Sequence, residues 1–176
     1  ALELALDLAK QSPEEELLAH SVIDLYHRQK RFREAELFLR QLLKTTPNKV
    51  SLQFQLAASL ERQRKIDEAE KVFEQILDKD PHNAATLNYF GYMLADHGRR
   101  LEDSLNLIKR ALSQDPYNGA YLDSLGWAYF KLGKLELAEE NLLKAIDSMR
   151  LTGVVYDHLG DLYYQKGKRQ QAIKFW

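Results

Sequence analysis

The chain contains no cysteine and only four prolines and eight glycines among its 176 residues. Without cysteine it can form no disulfide, no thiolate metal site and no cysteine nucleophile. The few prolines and glycines leave no flexible linker or low-complexity segment. No apolar run approaches the roughly 18 residues that a membrane-spanning helix needs. These absences favour a single folded domain, residues 1–176, that does not insert into a membrane.

The chain also lacks an excess of charge of either sign. Its 25 lysines and arginines nearly balance 26 aspartates and glutamates, and the formal net charge is -1. A general nucleic-acid binder needs a basic stripe to neutralise phosphates, so this balance argues against a nucleic-acid partner. Hydrophobic residues make up 45% of the chain and charged residues 29%, which is typical of a folded rather than a disordered protein.

Recognisable catalytic motifs are missing as well. The sequence has no GxSxG elbow, no GxxxxGK[ST] loop, no GxGxxG after a strand and no HExxH. One metal-like spacing occurs, because His20, Asp24 and His27 would share one face of a helix. Strong metal sites usually draw ligands from more than one element, so we interpret this trio as a polar surface stripe, with a metal site as the alternative. We expect no enzymatic activity, no cofactor and no metal site.

A helical hairpin is predicted from residues 121–145, YLDSLGWAYFKLGKLELAEENLLKA. Apolar residues recur at helical spacing on both sides of Gly133, which indicates two short amphipathic helices. A glycine at that point can adopt the positive φ that ends a helix in a left-handed cap. Gly126 and Ala138 are small enough for the two helices to approach closely.

The same pattern recurs along the chain with a period of 34 residues, lengthened once to 35. It is marked by a ladder of small residues: Ala1, Ala35, Ala69, Ser104, Ala138 and Ala172. Every proline stands twelve residues after a ladder position, at Pro13, Pro47, Pro81 and Pro116, where it ends a second helix. Random placement would not put all the prolines in one phase, so the sequence predicts a repeat array.

These units resemble the tetratricopeptide repeat (TPR) family over the whole chain, since the small, aromatic, glycine and proline positions agree in successive units. The resemblance implies an all-α fold, a right-handed superhelical solenoid of antiparallel helix pairs whose first helices line a concave groove for a partner protein. We expect the second half of a repeat at 1–15, whole repeats at 16–49, 50–83, 84–118 and 119–152, and a truncated repeat at 153–176. Both ends cut a repeat in half, which we interpret as a fragment of a longer protein.

The amino-acid sequences of the last units are similar to those of the repeat arms of large bacterial TPR proteins, some cytoplasmic and some attached to the cell envelope. A soluble protein of the bacterial cytoplasm or of the periplasm and envelope is therefore expected, with the compartment left open. Some family members clamp a terminal carboxylate with lysine, arginine and asparagine. No frame along this chain supplies the basic residues of that clamp, so we expect no binding to such tails.

The register of the first helices selects the residues that would face the groove. Phe54, Tyr92, Trp127, Phe130 and Tyr164 form an apolar and aromatic track there, beside a row of aspartates. Aromatic side chains dominate binding hot spots, so we expect a groove for a protein segment with apolar and basic residues. The alternative is that these aromatics only pack against neighbouring helices. The expected partner-binding residues are Phe54, Asn88, Tyr92, Asp96, Asp123, Trp127, Phe130, Lys131, Asp157, Asp161 and Tyr164.

The expected function is a non-catalytic scaffold or adaptor that binds a partner peptide or protein segment in the groove. Two alternatives remain open at this stage. The helix predicted at residues 1–10 could dock on the open end near Trp176 of another copy, which would give an end-to-end oligomer. The array could also be the regulatory arm of a larger enzyme.

Overall fold

The computed structural model describes residues 16–148 and 153–176. Within these ranges every regular element is a helix, and the helices pair as successive antiparallel hairpins. The all-α repeat fold is therefore confirmed. The helices are α1 (Glu16–Arg28), α2 (Phe32–Thr45), α3 (Val50–Arg62), α4 (Ile66–Lys79), α5 (Ala84–Asp96), α6 (Leu101–Leu112), α7 (Gly119–Lys131), α8 (Leu135–Ser148), α9 (Gly153–Gln165) and α10 (Arg169–Phe175).

Three first helices begin at residues 50, 84 and 119, where the sequence period places the start of a repeat. The other two, α1 and α9, are described from residues 16 and 153 onward. The chain divides into two compact units, unit 1 (Ala1–Pro81) and unit 2 (His82–Trp176). Of the described helices, α1 to α4 belong to unit 1 and α5 to α10 to unit 2. The second helix predicted at residues 1–10 lies outside the described residues.

Every hairpin turn contains a residue in the left-handed conformation, as the glycine pattern predicts. Gly98, Gly133 and Gly167 have φ between 65° and 74° in unit 2. In unit 1 the same turn position holds Lys30 (φ 56°) and Arg64 (φ 64°). Residues with a Cβ seldom adopt this conformation, so Lys30 and Arg64 carry backbone strain that a glycine at the same position avoids. In unit 2, Arg100 (φ 44°), the residue before α6, is also left-handed.

The small-residue ladder is buried where the two helices of each hairpin meet. Its members Ala35, Ala69, Ser104, Ala138 and Ala172 have no exposed surface. Gly126 allows the same close approach, because a Cβ added there would lie 2.6 Å from Leu142 Cγ. Close packing within each hairpin thus follows directly from the repeat period.

In unit 2 the first helix of one hairpin also packs on the second helix of the hairpin before it. Leu142 on α8 shares a core with Val155, Leu159 and Leu162 on α9, and these four side chains are essentially buried. No helix among the described residues is long and apolar enough to cross a membrane.

Candidate functional site

Four aromatic rings meet on the first helices of unit 2. Trp127 on α7 stacks on Phe130 of the same helix, with centroids 4.9 Å apart, and on His158 of α9, at 4.1 Å. Tyr92 on α5 lies against the other side of the group, tilted, 6.1 Å from His158. We call Tyr92, Trp127, Phe130 and His158 the Trp127 cluster. It joins three successive first helices of unit 2.

Polar side chains fix the geometry of the Trp127 cluster. Trp127 Nε1 donates a hydrogen bond to Asp96 Oδ1 at 3.2 Å, and the Lys131 ammonium lies over the indole, 5.0 Å from its centroid. Asp123 Oδ1 and His158 Nδ1 are 2.8 Å apart, so a proton on Nδ1 is donated to the carboxylate. The stacked rings of Trp127 and His158 thus bring together six of the expected site residues: Tyr92, Asp96, Asp123, Trp127, Phe130 and Lys131.

The expectation that Trp127 is exposed in the groove is wrong. Only 7% of this residue is accessible, because Phe130 and His158 both stack on its ring. Asp123 is 8% exposed for a related reason, since His158 covers its carboxylate. At these two positions the packing alternative describes the observed contacts.

The accessible part of the first-helix face of unit 2 is acidic and aromatic. Asp96 and Asp157 are exposed, Asp161 is half-buried, and none of the three has an ion-pair partner among the described residues. Tyr164 is 56% exposed and its ring lies 5.8 Å from that of Trp176, which is 57% exposed. The side chains of Tyr92, Phe130 and Lys131 are partly exposed.

Asn88, one turn before Tyr92 on α5, offers a hydrogen-bond acceptor that the described residues leave unused. Its Oδ1 atom is buried and has no hydrogen-bond partner within the described part of the chain. Such an atom loses hydration without a compensating bond, which is unfavourable unless another group supplies a donor.

Phe54 lies in unit 1, whereas the other expected site residues lie in unit 2. Its ring packs edge-on against Phe73, with centroids 5.8 Å apart. The observed contacts of Phe54 therefore belong to the packing of α3 on α4.

His158 was not selected by sequence reasoning. The repeat pattern predicts that the fifth residue of each first helix faces the groove. In α9 that residue is Asp157, and His158 is the sixth. The equivalent sixth residues of the earlier hairpins in unit 2 are Tyr89 and Ser124. The one available signal was Asp123, a carboxylate that needs a donor if the next repeat covers it.

The predicted polar stripe on α1 is partly buried. His27 Nε2 lies 2.7 Å from Ser59 Oγ on α3, and its ring packs edge-on against Phe32. Burial lowers the pKa of His27, and nearby Asp24 opposes that effect. Among the described residues no three histidine, aspartate or glutamate side chains are grouped so that they could hold a metal ion.

Two sequence profiles described as tetratricopeptide repeat match the chain, at residues 26–88 and 120–148. Together they span slightly more than half of it. The chain belongs to the tetratricopeptide repeat family. No curated protein sequence matches the chain significantly.

Solved TPR structures resemble this one over most of its length. PilW, described as a widely conserved type IV pilus biogenesis factor, superposes with a TM-score of 0.79 at 21% identity, covering 90% of this chain and 73% of PilW. MamA residues 41 to the end, from Desulfovibrio magneticus RS-1, gives 0.70 at 20% identity, covering 90% and 89%. PilF from Pseudomonas aeruginosa gives 0.72 at 22% identity, covering 89% and 72%. Identities this low support the shared TPR fold alone.

Proposed function

We propose that this TPR chain is a non-catalytic scaffold, and that the first-helix face of unit 2 binds a protein segment carrying basic and apolar side chains. The single observation that carries the proposal is the set of carboxylates on that face, Asp96, Asp157 and Asp161, without ion-pair partners in the described residues. Helical-repeat proteins in general use such extended faces to bind other proteins.

The neighbouring side chains supply the other parts of a peptide site. Tyr164 and the exposed edges of Tyr92 and Phe130 offer aromatic surface, and aromatic residues are favoured in binding sites because they bury large areas at low entropic cost. The half-buried side chain of Asn88 adds amide surface beside them, although its Oδ1 atom itself is buried. A peptide that ran along α5, α7 and α9 would meet all three kinds of group.

Trp127 has a different role in this proposal. Because its ring stacks on Phe130 and on His158, it holds α7 against α9 and positions Lys131 and Asp96. Replacing Trp127 by alanine would leave a large cavity and destabilise unit 2, so loss of binding in that variant would say nothing about contact with a partner.

The proposal is tested by selecting binders from a displayed library of random 12-residue peptides on the unmodified protein. The enriched peptides are expected to combine lysine or arginine with aromatic or aliphatic residues. The variant Asp96→Asn/Asp157→Asn/Asp161→Asn keeps the size of the side chains and the acceptor for Trp127 Nε1. Exposed ion pairs contribute about 0.2–1 kcal/mol each, so three lost charges should weaken binding roughly tenfold at low salt.

The matched control is Asp147→Asn, which removes an exposed carboxylate from α8, a second helix of unit 2. This control should bind the selected peptides as the parent does. Equal binding by the triple variant and the parent, or enrichment of peptides without basic residues, would refute the proposed face.

The self-assembly alternative relies on residues 1–10, which lie outside the described residues. No contact among the described residues favours it, and none favours a regulatory arm.

A further inference from the structure

The hairpin turns of unit 1 differ from those of unit 2 at the residue with positive φ. All five turns make the same cap, in which the left-handed residue and the residue after it donate backbone hydrogen bonds to carbonyls of the preceding helix, as Lys30 N to His27 O at 2.9 Å. Unit 2 uses glycine at this position in each hairpin, whereas unit 1 uses Lys30 and Arg64. Unit 1 therefore has a cation where glycine would be less strained.

Helix stability does not explain these two cations. A left-handed conformation is unfavourable for a residue with a Cβ, and a cation near a helix C-terminus offsets only part of that strain. The favourable interaction with the helix dipole is already available from Arg28 and Arg62, which occupy the last turns of α1 and α3 without strain. Arg100 in unit 2 is also left-handed, but its guanidinium pairs with Asp103 at 2.8 Å. Lys30 and Arg64 differ from it because their strained positions hold charges with no such partner among the described residues, which points to a function for these side chains.

The cations on these turns are also left without carboxylate partners. Arg28, Lys30, Arg33 and Arg64 are exposed or partly exposed, and none forms an ion pair within the described ranges. Two glutamates nearby are engaged with other cations: Glu34 with Arg31 at 2.8 Å, and Glu36 with Lys65 at 2.7 Å and with Arg40 at 2.9 Å.

The two turns form one surface because they contact each other. Gln63 Nε2 donates to the Phe32 carbonyl at 3.2 Å and to Glu36 Oε2 at 2.9 Å, and Lys65 Nζ donates to the same carboxylate. The cations of the first turn and Arg64 of the second therefore lie at one edge of unit 1. We call Arg28, Lys30, Arg33 and Arg64 the basic edge.

Comparable cations in unit 2 have partners inside the protein. Lys131 lies over Trp127, Lys134 is 3.7 Å from Glu102, Lys166 pairs with Glu139, and Lys168 lies over Tyr163. A basic residue near a hairpin turn is thus not by itself an unpaired charge. The basic edge is a property of unit 1.

We propose that the basic edge binds an acidic polypeptide segment, a short run of aspartate and glutamate. Three of its four cations are arginines, whose planar guanidinium groups match carboxylates. Carboxylates flank the edge, since Glu34 and Glu68 have side-chain exposures of 42% and 51%. A long, uniform polyanion such as a nucleic acid or an anionic membrane would meet those carboxylates, whereas a short acidic segment can avoid them. None of the four side chains of the basic edge is aromatic, so the edge itself offers no ring for a base to stack on.

The test uses the whole chain and a fluorescein-labelled peptide of twelve glutamates, with a peptide of twelve glutamines as the neutral comparison, in about 50 mM NaCl, where surface charges are weakly screened. The variant Lys30→Gly/Arg64→Gly removes two charges and relieves the backbone strain. It should therefore melt at a higher temperature than the parent and bind the glutamate peptide at least about fivefold more weakly.

Two further variants locate the effect. Arg28→Gln/Arg33→Gln removes two charges without changing the backbone strain and should also weaken binding about fivefold. Arg169→Gln/Lys174→Gln removes two exposed cations from α10 in unit 2 and should bind as the parent does. Because the net charge changes equally in all three variants, only the position of the charges distinguishes them.

The proposal would be overturned if the Lys30→Gly/Arg64→Gly variant bound the glutamate peptide as tightly as the parent. Equal binding of the glutamate and glutamine peptides would overturn it too. Tighter binding to oligothymidylate, or to phosphatidylserine vesicles, at equal charge concentration would replace the acidic polypeptide by a nucleic acid or a membrane.

Discussion

The contact between Asp123 and His158 should behave as one coupled unit in unfolding experiments. Both side chains are nearly buried, with 11% and 8% exposure, and their nearest polar atoms are 2.8 Å apart. His158→Phe keeps a ring against Trp127 but removes the partner of the Asp123 carboxylate. Asp123→Ala removes the acceptor and leaves the imidazole without its bond.

The expected magnitudes follow from burial. A buried carboxylate that loses its donor costs about 2–3 kcal/mol, so His158→Phe should lower the free energy of unfolding by about that amount. Asp123→Ala should cost about 1–2 kcal/mol, because it leaves only one ring nitrogen of His158 without its partner. In the double variant neither penalty remains, and its loss should be smaller than the sum of the single losses by about 1–3 kcal/mol.

The assay is urea unfolding followed by tryptophan fluorescence in a Trp176→Phe background. Trp176 is 57% exposed, so replacing it should disturb the fold little. The remaining tryptophan of the sequence is then Trp127, which stacks on His158 and reports on the cluster. Single losses that add to the double loss within about 0.5 kcal/mol would refute the coupling. They would mean that Asp123 is hydrated in solution and that stacking alone joins α7 to α9.

Two other predictions concern stability. Gly126→Ala should lower the free energy of unfolding by about 1–3 kcal/mol, since the new Cβ would lie 2.6 Å from Leu142 Cγ. Gly153→Ala, whose Cβ would have no described atom within 4 Å, should change it by less than about 0.5 kcal/mol; thermal melts compare the two. Burial raises the pKa of Glu36, but hydrogen bonds from basic and amide side chains outweigh it and lower the pKa to about 2. This stabilisation is complete above the unfolded pKa near 4.5 and is lost as the pH falls toward 2. Glu36→Gln should therefore make the urea midpoint depend less on pH between these two values. An unchanged pH dependence would contradict the role given to Glu36.

The fold could be predicted because it depends on period. Glycine, proline and small residues recur in phase, and each has a local conformational consequence that needs no knowledge of distant contacts. Gly133 in its left-handed cap and Ala138 buried against α7 are direct results. The starts of α3, α5 and α7 follow the same period, because each hairpin repeats one local sequence pattern.

The site was harder to predict because burial of a first-helix residue depends on the next hairpin. Trp127 would be more exposed if α9 had a small residue at its sixth position, as α7 has with Ser124, because only Phe130 would then stack on the indole. A flat ring, His158, occupies that position and covers the indole. Helical register indicates which way a side chain points, but not whether a neighbour from another repeat stacks on it.

The net charge of the whole chain does not describe the charge at a binding surface. A value of -1 for the whole chain suits a protein without any charged binding site, yet it also suits one whose charges are separated. At physiological salt the screening length is about 8 Å, so a bound segment senses the side chains around it and not the total. Within the described part of the chain, Asp157 and Asp161 lack ion-pair partners, and so do Arg28 and Arg33. Each pair therefore creates its own local electrostatic field. Partner chemistry has to be inferred from each set of local contacts, and the two sets favour opposite charges.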